Sequence, residues 1–588
     1  MNLDRVLSSV FAMAALGLLS AVPPIGCSVG AAARRTAPPE IVPFSGLDAG
    51  AADATNEGAA KAAPSVKAHH HAVASENATA TRVAMDVLSR GGNAADAAVA
   101  GVLAVGITHP VSSGIGGGGF AMVWDAKTRK TTVLDFRETA PAGLVAADYV
   151  TRPAREKRGV MVGVPGEVAG LSELHRRFGH LAFADVVGSA AEIAAKGFPV
   201  SPHLARTLSF NEKWIRDTPR YVIFHPAGPL LGIAEIVHNP ALATTLKKIA
   251  SEGKKAFYEG AVAADIVASA REVGSRITAA DLKRYAVVER EPLAIRWEGY
   301  DVLTMPPPSA GGLMMLETLH MHSKEELISH GYQTGAYFHL LAETFRGAIA
   351  DRVRAVGDPA FVKVDVGALA SAARMKARRA KISLDTTTPA EKFSLDEGGT
   401  HHLVVVDAQG NVVSISSTVN NMFGAKIVTS GGFVLNDELH DFSAPSLDAR
   451  FGIVRGPNAP RGGARPVSSM TPTLVFKDGA PILALGGSGG MRIATAVTQV
   501  LLAQLAFGRS VPAAVADPRI EAPPTGGLLL DGPASAELVG DLGRRGEVVD
   551  VTKPNFSAVQ AIAVHDEVGI RVFEAGADPR KSGAASVQ

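Results

Sequence analysis

The chain has 588 residues, 47% hydrophobic and 20% charged, a balance that supports a large buried core and excludes a mainly disordered protein. Its 58 Lys and Arg against 57 Asp and Glu give a net charge of +1; the basic residues are scattered, which excludes a nucleic-acid footprint or a basic membrane-surface helix. A small molecule is the expected partner, and the single cysteine excludes a disulfide within the chain. At the N-terminus, Arg5 precedes the apolar run Val6 to Val22, short for a membrane span and suited to a signal peptide. Cys27 follows Pro24-Ile25-Gly26, as at a lipoprotein cleavage site, although Pro24 stands where Leu is usual. A cut near Ala31 to Ala33 would instead leave no cysteine. Residues 1–27 therefore read as a signal peptide with Cys27 a candidate lipid anchor, and the expectation is an exported protein, periplasmic or lipid-anchored, with no membrane span after processing.

Residues 28–67 are rich in Ala, Pro, Gly and Thr without apolar periodicity, a disordered leader. Dense structure begins at Ala72-Val-Ala-Ser75. An amphipathic helix is predicted over Thr79 to Arg90, stopped by Gly91-Gly92, and a more buried one over Asp96 to Val105. Phe120 to Trp124 reads as a strand with Thr131 to Phe136 as its hairpin partner. Helices are predicted at Glu167 to Phe178, Ala184 to Lys196 and Asn239 to Ala250, so that helices dominate the middle of the chain. Met305-Pro-Pro-Pro-Ser-Ala-Gly-Gly312 is a rigid turn before a helix over Leu313 to His320. Lys376 to Leu395 reads as an exposed loop between two organised halves. The strongest hairpin signal follows it: His402 to Asp407, a turn at Gly410-Asn411, and Val412 to Ser417. Strands at Thr473 to Phe476 and Ala480 to Leu485, then a helix over Arg492 to Phe507, complete the pattern.

Several segments compete for the chemistry. Gly114-x-Gly116-x-x-Gly119 fits a dinucleotide fingerprint by letter, but it follows a helix and precedes a strand, the reverse of that motif's context. Gly486-Gly-Ser488-Gly-Gly490 matches G-x-S-x-G between a strand and a helix, trailed by Asp517, Asp531 and His565 in hydrolase order. His69-His-His71 and His401-His402 offer imidazoles without partners at metal-ligand spacing. Gly398-Gly399-Thr400 joins the loop to the first hairpin strand. A threonine hydroxyl needs a base, and a cut before Thr400 would free an alpha-amine of pKa about 7.7 to 8.0 to act as one. Gly399, without a Cβ, would let that hydroxyl approach the preceding carbonyl. A glycine pair that merely turns into a strand is the plain alternative.

From Ala72 to Ala585 the chain resembles the gamma-glutamyltranspeptidase family. The resemblance is carried by Val73-Ala-Ser-Glu-Asn77, Gly91 to Ala98, Thr108-His-Pro110, Gly114 to Phe120, Asp135-Phe-Arg-Glu138, Gly163-Val-Pro-Gly166 and Met305 to Gly312. After Thr400 it continues in Val405-Val-Asp407, Leu435-Asn436, Asp441-Phe442, Arg465 to Met470, Gly489-Gly490 and Ala577-Asp-Pro-Arg580. It implies an α+β fold, the four-layer αββα sandwich of N-terminal nucleophile hydrolases with two stacked antiparallel sheets. It also implies autocleavage between Gly399 and Thr400, giving a large subunit (68–399) and a small catalytic subunit (400–588) that form a heterodimer. Thr400 would be the nucleophile, Thr418 would bond its hydroxyl, and Gly489 and Gly490 would supply oxyanion-hole amides. Arg137, Ser468 and Ser469 would hold the alpha-carboxylate of a gamma-glutamyl group, and Asn420, Glu438 and Asp441 its alpha-ammonium. The implied substrate is a glutathione-like gamma-glutamyl amide, with water or an amino acid or peptide as acceptor; no cofactor or metal is expected. A glutaryl amidase would have less need of Glu438 and Asp441 together, and a non-catalytic binding protein would retain an uncut chain.

Two departures stand out. His401 follows the nucleophile where Thr is usual and is expected to bear on precursor cleavage or acceptor approach; Ser488 precedes Gly489 where Pro is usual. Ser443 to Arg461 resembles a lid, with Phe451 as its aromatic gate.

Overall fold

The computed structural model describes residues 70–149, 158–388, 399–443, 456–523, 527–551, 557–567 and 570–588. The expected signal peptide with Cys27, the expected leader, His69 and Phe451 lie outside the described residues. Every described residue belongs to the unit spanning residues 61–588.

Among these residues two large sheets dominate. Their strands, in chain order, are β1 (Ala72–Ser75), β2 (Gly118–Asp125), β3 (Lys130–Phe136), β4 (Val288–Arg290), β5 (Leu293–Trp297), β6 (Tyr300–Thr304), β7 (Gly399–Val406), β8 (Val412–Asn420), β9 (Thr473–Lys477), β10 (Ala480–Ser488), β11 (Ala558–Glu567), β12 (Ile570–Ala577) and β13 (Ala584–Val587). The first sheet runs β13-β1-β7-β8-β2-β3-β4 and the second β12-β11-β10-β9-β6-β5; adjacent strands pair antiparallel throughout. The central pair β7 and β8 forms the expected hairpin. Asp407 closes its turn, accepting from Gln409 N and Asn411 N and from Ala94 N, which ties the hairpin to a helix start.

Alternation along β7 divides the core. Leu403 and Val405 pack with helices α1 (Ala78–Ser89), α2 (Ala94–Thr108), α3 (Glu167–Phe178), α4 (Phe183–Lys196) and α5 (Pro240–Glu252). Val404 and Val406 face the other way, into a core shared with the second sheet. That sheet is covered by α6 (Gly311–Met321), α7 (Gly335–Ala355) and α8 (Ile493–Leu505). The result is helix, sheet, sheet, helix, as the α+β expectation required. Helix α2 is buried all round, which is why its sequence is apolar without a polar face. Its N-terminus carries a capping box between Asn93 and Asp96.

Two segments differ from expectation. The helical middle also supplies β4 to β6, of which β5 and β6 form a hairpin with alternating burial. The basic run after Ser371 opens as a helix, Ala372–Arg379, because Arg374 and Arg378, one turn apart, both reach Asp351, and Arg378 also pairs with Glu317; residues 389–398 lie outside the described set.

The glycines of residues 114–119 are packing glycines. A Cβ on Gly117 would lie 1.9 Å from Thr418 O, and one on Gly119 2.0 Å from Ser416 O, so their absence lets this segment press against β8. Gly117→Ala is expected to destabilise the fold by about 1 to 3 kcal/mol through displacement of β8, measured by chemical denaturation. An unchanged midpoint would show that β8 yields freely at Thr418.

Candidate active site

The register of β7 against β8 places Thr418 directly opposite Thr400 and Asn420 opposite Gly399, with a bulge between 418 and 420. Thr400 Oγ1 lies 3.3 Å from Thr418 Oγ1. The Thr418 hydroxyl donates to Gly399 O at 2.7 Å and accepts from Asn420 N at 2.8 Å. With its single proton committed to Gly399 O, it is left to accept from Thr400. One hydroxyl thus touches both the candidate nucleophile and the carbonyl preceding it. Gly399 is needed for space: a Cβ there would lie 2.9 Å from Val111 O and 3.2 Å from Asn420 O.

A second cluster surrounds Arg137, at the end of β3 and 1% exposed. Its guanidinium pairs with Glu438, and with Asp441 at 2.6 Å, while donating to Pro466 O and Val467 O. Burial pulls the guanidinium pKa down, and the carboxylates of Glu438 and Asp441 more than reverse this, so Arg137 stays charged. Glu438 has a 1% exposed side chain but Asp441 32%, so Asp441 marks the solvent side of the cluster. Glu438 is set by Asn436, whose Oδ1 accepts from Gly163 N and Glu438 N and whose Nδ2 donates to Gly116 O and Gly163 O. Asn420 reaches the same loop through Asp437 O. Ser468 and Ser469 follow the carbonyls that hold Arg137, and both are buried. Ser469 Oγ accepts from Arg352 Nη1 at 3.0 Å.

Gly489 and Gly490 follow β10 with φ of 126° and 61°, conformations that suit glycine, and lead through a short 3-10 turn into α8. Gly486, on the same strand, lies against the His402 ring.

The rival motifs dissolve into structural roles. Ser488 is wholly buried and bonded to Lys581. Asp517 binds Arg509 and Tyr332, Asp531 binds Arg580, and His565 lies beside Glu574 with half its side chain exposed; no Ser-His-Asp chain forms. His402 is held between Ser416 Oγ at 2.8 Å and Ser414 Oγ at 3.1 Å, and burial depresses its pKa to about 3. No group of three or more His, Cys, Asp or Glu residues suited to a metal occurs among the described residues.

Sequence reasoning missed Arg352 and Lys581. Arg352 falls on the buried stripe of α7 with Phe338, Leu341, Phe345 and Ile349, and a charge in an apolar stripe is the signal that would have found it. Burial pushes its pKa down to about 10, against the pull of Asp441. Lys581 gives no such signal, since it sits in a short turn after β12.

Comparison with known proteins shows the family and the fold. A family model described as gamma-glutamyltranspeptidase matches residues 80–588. The chain is 34% identical over 544 residues to the glutathione hydrolase proenzyme of Bacillus subtilis strain 168, spanning 87% of this chain and 90% of that protein. With the glutathione hydrolase proenzyme of Escherichia coli K12 it shares 36% identity over 471 residues, 77% and 81% of the two chains. Among solved structures, cephalosporin acylase from Bacillus halodurans matches with a TM-score of 0.79 at 26% identity, over 89% of this chain and 96% of that one. A chain of Helicobacter pylori gamma-glutamyltranspeptidase matches with 0.51 at 32% identity, over 53% and 92%.

Buried carboxyls set the pH response of this region. Glu167, which accepts from Ser417 Oγ at 2.8 Å, is pushed up to about 8 by burial, against that hydrogen bond. Glu138 is likewise pushed up to about 8 by burial, against the attraction of Arg137. In the unfolded chain each ionises near 4.5. The folded state therefore holds more protons between these values, and stability, full below about 4.5, falls as pH rises through about 8. The wild-type melting temperature should drop between pH 5 and 8.5, and Glu167→Gln, which keeps the acceptor for Ser417, should flatten that slope. Equal slopes would show Glu167 to be ionised in the folded chain.

Proposed function

Because the chain belongs to the gamma-glutamyltranspeptidase family, we propose that it is a proenzyme that cuts itself between Gly399 and Thr400 and then cleaves gamma-glutamyl amides of the glutathione type through a Thr400 acyl-enzyme. The observation that carries this reading is the Thr418 hydroxyl, bonded to Gly399 O and next to Thr400 Oγ1.

In maturation, Thr400 Oγ1 attacks the Gly399 carbonyl carbon while Thr418 steadies the oxygen. The C–N bond breaks, the nitrogen takes the hydroxyl proton, and water hydrolyses the resulting ester. The freed alpha-amine then serves as base for the same hydroxyl. In turnover, Thr400 Oγ1 attacks the gamma-carbonyl carbon, the amides of Gly489 and Gly490 receive the oxyanion, and the amine leaves with the proton. Water or an amino-acid or peptide amine resolves the acyl-enzyme. The segments 68–399 and 400–588 supply interleaved strands of one sheet, which accounts for two subunits staying together after the cut. We place the mature protein outside the cytoplasm, on the apolar run Val6 to Val22; among the described residues no helix is long and apolar enough to cross a membrane.

The charge arrangement supports a zwitterionic substrate end. Arg137, with Ser468 and Ser469, would take the alpha-carboxylate; Glu438 and Asp441, released from Arg137, would take the alpha-ammonium together with Asn420. Both members of each ion pair keep a partner. A glutaryl group lacks the ammonium and leaves Asp441, once released from Arg137, without a compensating charge. The likeness to a cephalosporin acylase keeps glutaryl amides as the second reading.

Purified protein should separate into two fragments meeting at Gly399 and Thr400, and Thr400→Ala should remain one inactive chain. Normal processing of that variant would overturn the assignment, and an uncut wild-type chain that binds glutamate-like ligands would leave a binding protein. Thr418→Ala should slow maturation and turnover by about two orders of magnitude. Asp441→Ala should raise KM for a gamma-glutamyl anilide about 100-fold, equivalent to about 2.7 kcal/mol, and spare a glutaryl anilide; the opposite pattern selects the glutaryl amidase.

A further inference from the structure

Lys581, Ser488 and Glu76 form a buried polar node that neither the proposed reaction nor the family comparison assigns. Lys581 Nζ donates to Ser488 Oγ at 2.7 Å and lies 3.8 Å from Glu76 Oε2. Glu76 Oε1 accepts from His402 N at 3.2 Å, two residues along β7 from Thr400. All three side chains are buried, with Ser488 at 0%, Glu76 at 1% and Lys581 at 4% exposure. The node therefore links four separate pieces of chain: the end of β1, the nucleophile strand β7, the last residue of β10, and the turn Pro579–Lys581 that follows β12.

Its position gives it work to do. Gly489 and Gly490 have positive φ and no side chains; their carbonyls accept from Arg492 N and Ile493 N, but no side chain of theirs anchors the turn, and glycine loses the most conformational freedom on being held. Ser488 is the last residue before them that a side-chain contact can grip. The cation shortens and strengthens that grip, and Glu76 offsets the cost of burying the ammonium. An oxyanion donor must stand within about 0.5 Å of its productive position. A link from the turn to β7 is the means of fixing that separation.

We propose that Lys581 is a positioning residue that, through Ser488 and Glu76, sets the Gly489-Gly490 turn at a fixed distance from Thr400. This rests on the reading of Gly489 and Gly490 as the oxyanion donors. Ser488 is not a second nucleophile on this account: it is wholly buried, and its Lys581 partner is shared with Glu76.

The test measures Lys581→Met, Ser488→Ala and the double variant, as processed two-fragment enzyme, on a gamma-glutamyl anilide. Each single variant should lower kcat about 10- to 100-fold, less than outright loss of an oxyanion donor, with KM within about threefold. The double variant should match the more impaired single, since both remove one link. Losses that multiply, a rise in KM at constant kcat, or full kcat in Ser488→Ala would each overturn the proposal. Ser488→Ala leaves the Lys581–Glu76 pair in place and decides the matter alone should Lys581→Met fail to fold. Gly489→Ala separates the two readings. If it is impaired while Ser488→Ala is silent, only the clamp fails; if Gly489→Ala is itself silent, the oxyanion assignment falls and takes the clamp with it. A gamma-glutamyl ester on Ser488 in Thr400→Ala, detected by mass spectrometry, would also overturn the proposal.

Discussion

The pairing of β7 with β8 is the constraint from which the site follows. A strand pair has a side-chain period of two, so a slip of one residue would send Thr418 to the opposite face from Thr400. The register is fixed from three sides: β8 presses on the glycine segment that leads into β2, Asp407 closes the hairpin turn onto helix α2, and β1 pairs β7 along its other edge. The bulge after Thr418 then lets Asn420 turn out at φ 71° to bond the loop carrying Glu438 and Asp441. The placement of Thr400, the neighbouring Thr418 hydroxyl and the charged cluster thus follows from one ladder and its single irregularity.

The charged cluster illustrates how buried charges restrict what a site can accept. One guanidinium faces Glu438 and Asp441 in contact and Glu138 nearby. Carboxyls in such a place either find a cation or keep a proton, which is why burial raises Glu138 and Glu438 above the ordinary carboxylate range. In the proposed reading, the Asp441 carboxylate on the open side makes the cluster unfavourable for a ligand carrying only a carboxylate. It is favourable for one that also brings an ammonium. Selectivity in this reading comes as much from the penalty on the wrong ligand as from contacts to the right one.

Much of the fold was legible because its signals are local. The alternation in His402 to Ser417, the capped apolar α2 and the glycine stop after α1 each specify an element from neighbouring residues. The hairpin of β5 and β6 is local but short, and the helix Ala372–Arg379 was not legible because Asp351 and Glu317, which hold its arginines, lie on other helices. Thr400 was weak as a local motif and became specific only through the family pattern. The charged side chains around Arg137 were legible as a group for the same reason. Arg352 and Lys581 were not, because their roles depend on contacts separated by more than 90 residues, Arg352 with Ser469 and Lys581 with Ser488.

The same alternation speaks to His401. Thr400, His402, Val404 and Val406 share one parity on β7, and Val404 and Val406 enter the core between the sheets. His401, Leu403 and Val405 share the other, and Leu403 and Val405 pack under the helices. His401 is wholly buried, its nearest histidine influences besides His402 being His109 at the C-terminal end of α2, and burial holds it neutral. A ring on the helix side of the sheet lies across the strand from the face where Thr400 meets Thr418, so a molecule approaching that face would not meet it. Its parity puts it in the packing beneath β7, the strand that begins at the proposed cut. On the reading proposed above, this larger, neutral ring in place of the usual threonine would bear on maturation, through the seat of β7 against α2, rather than on acceptor choice.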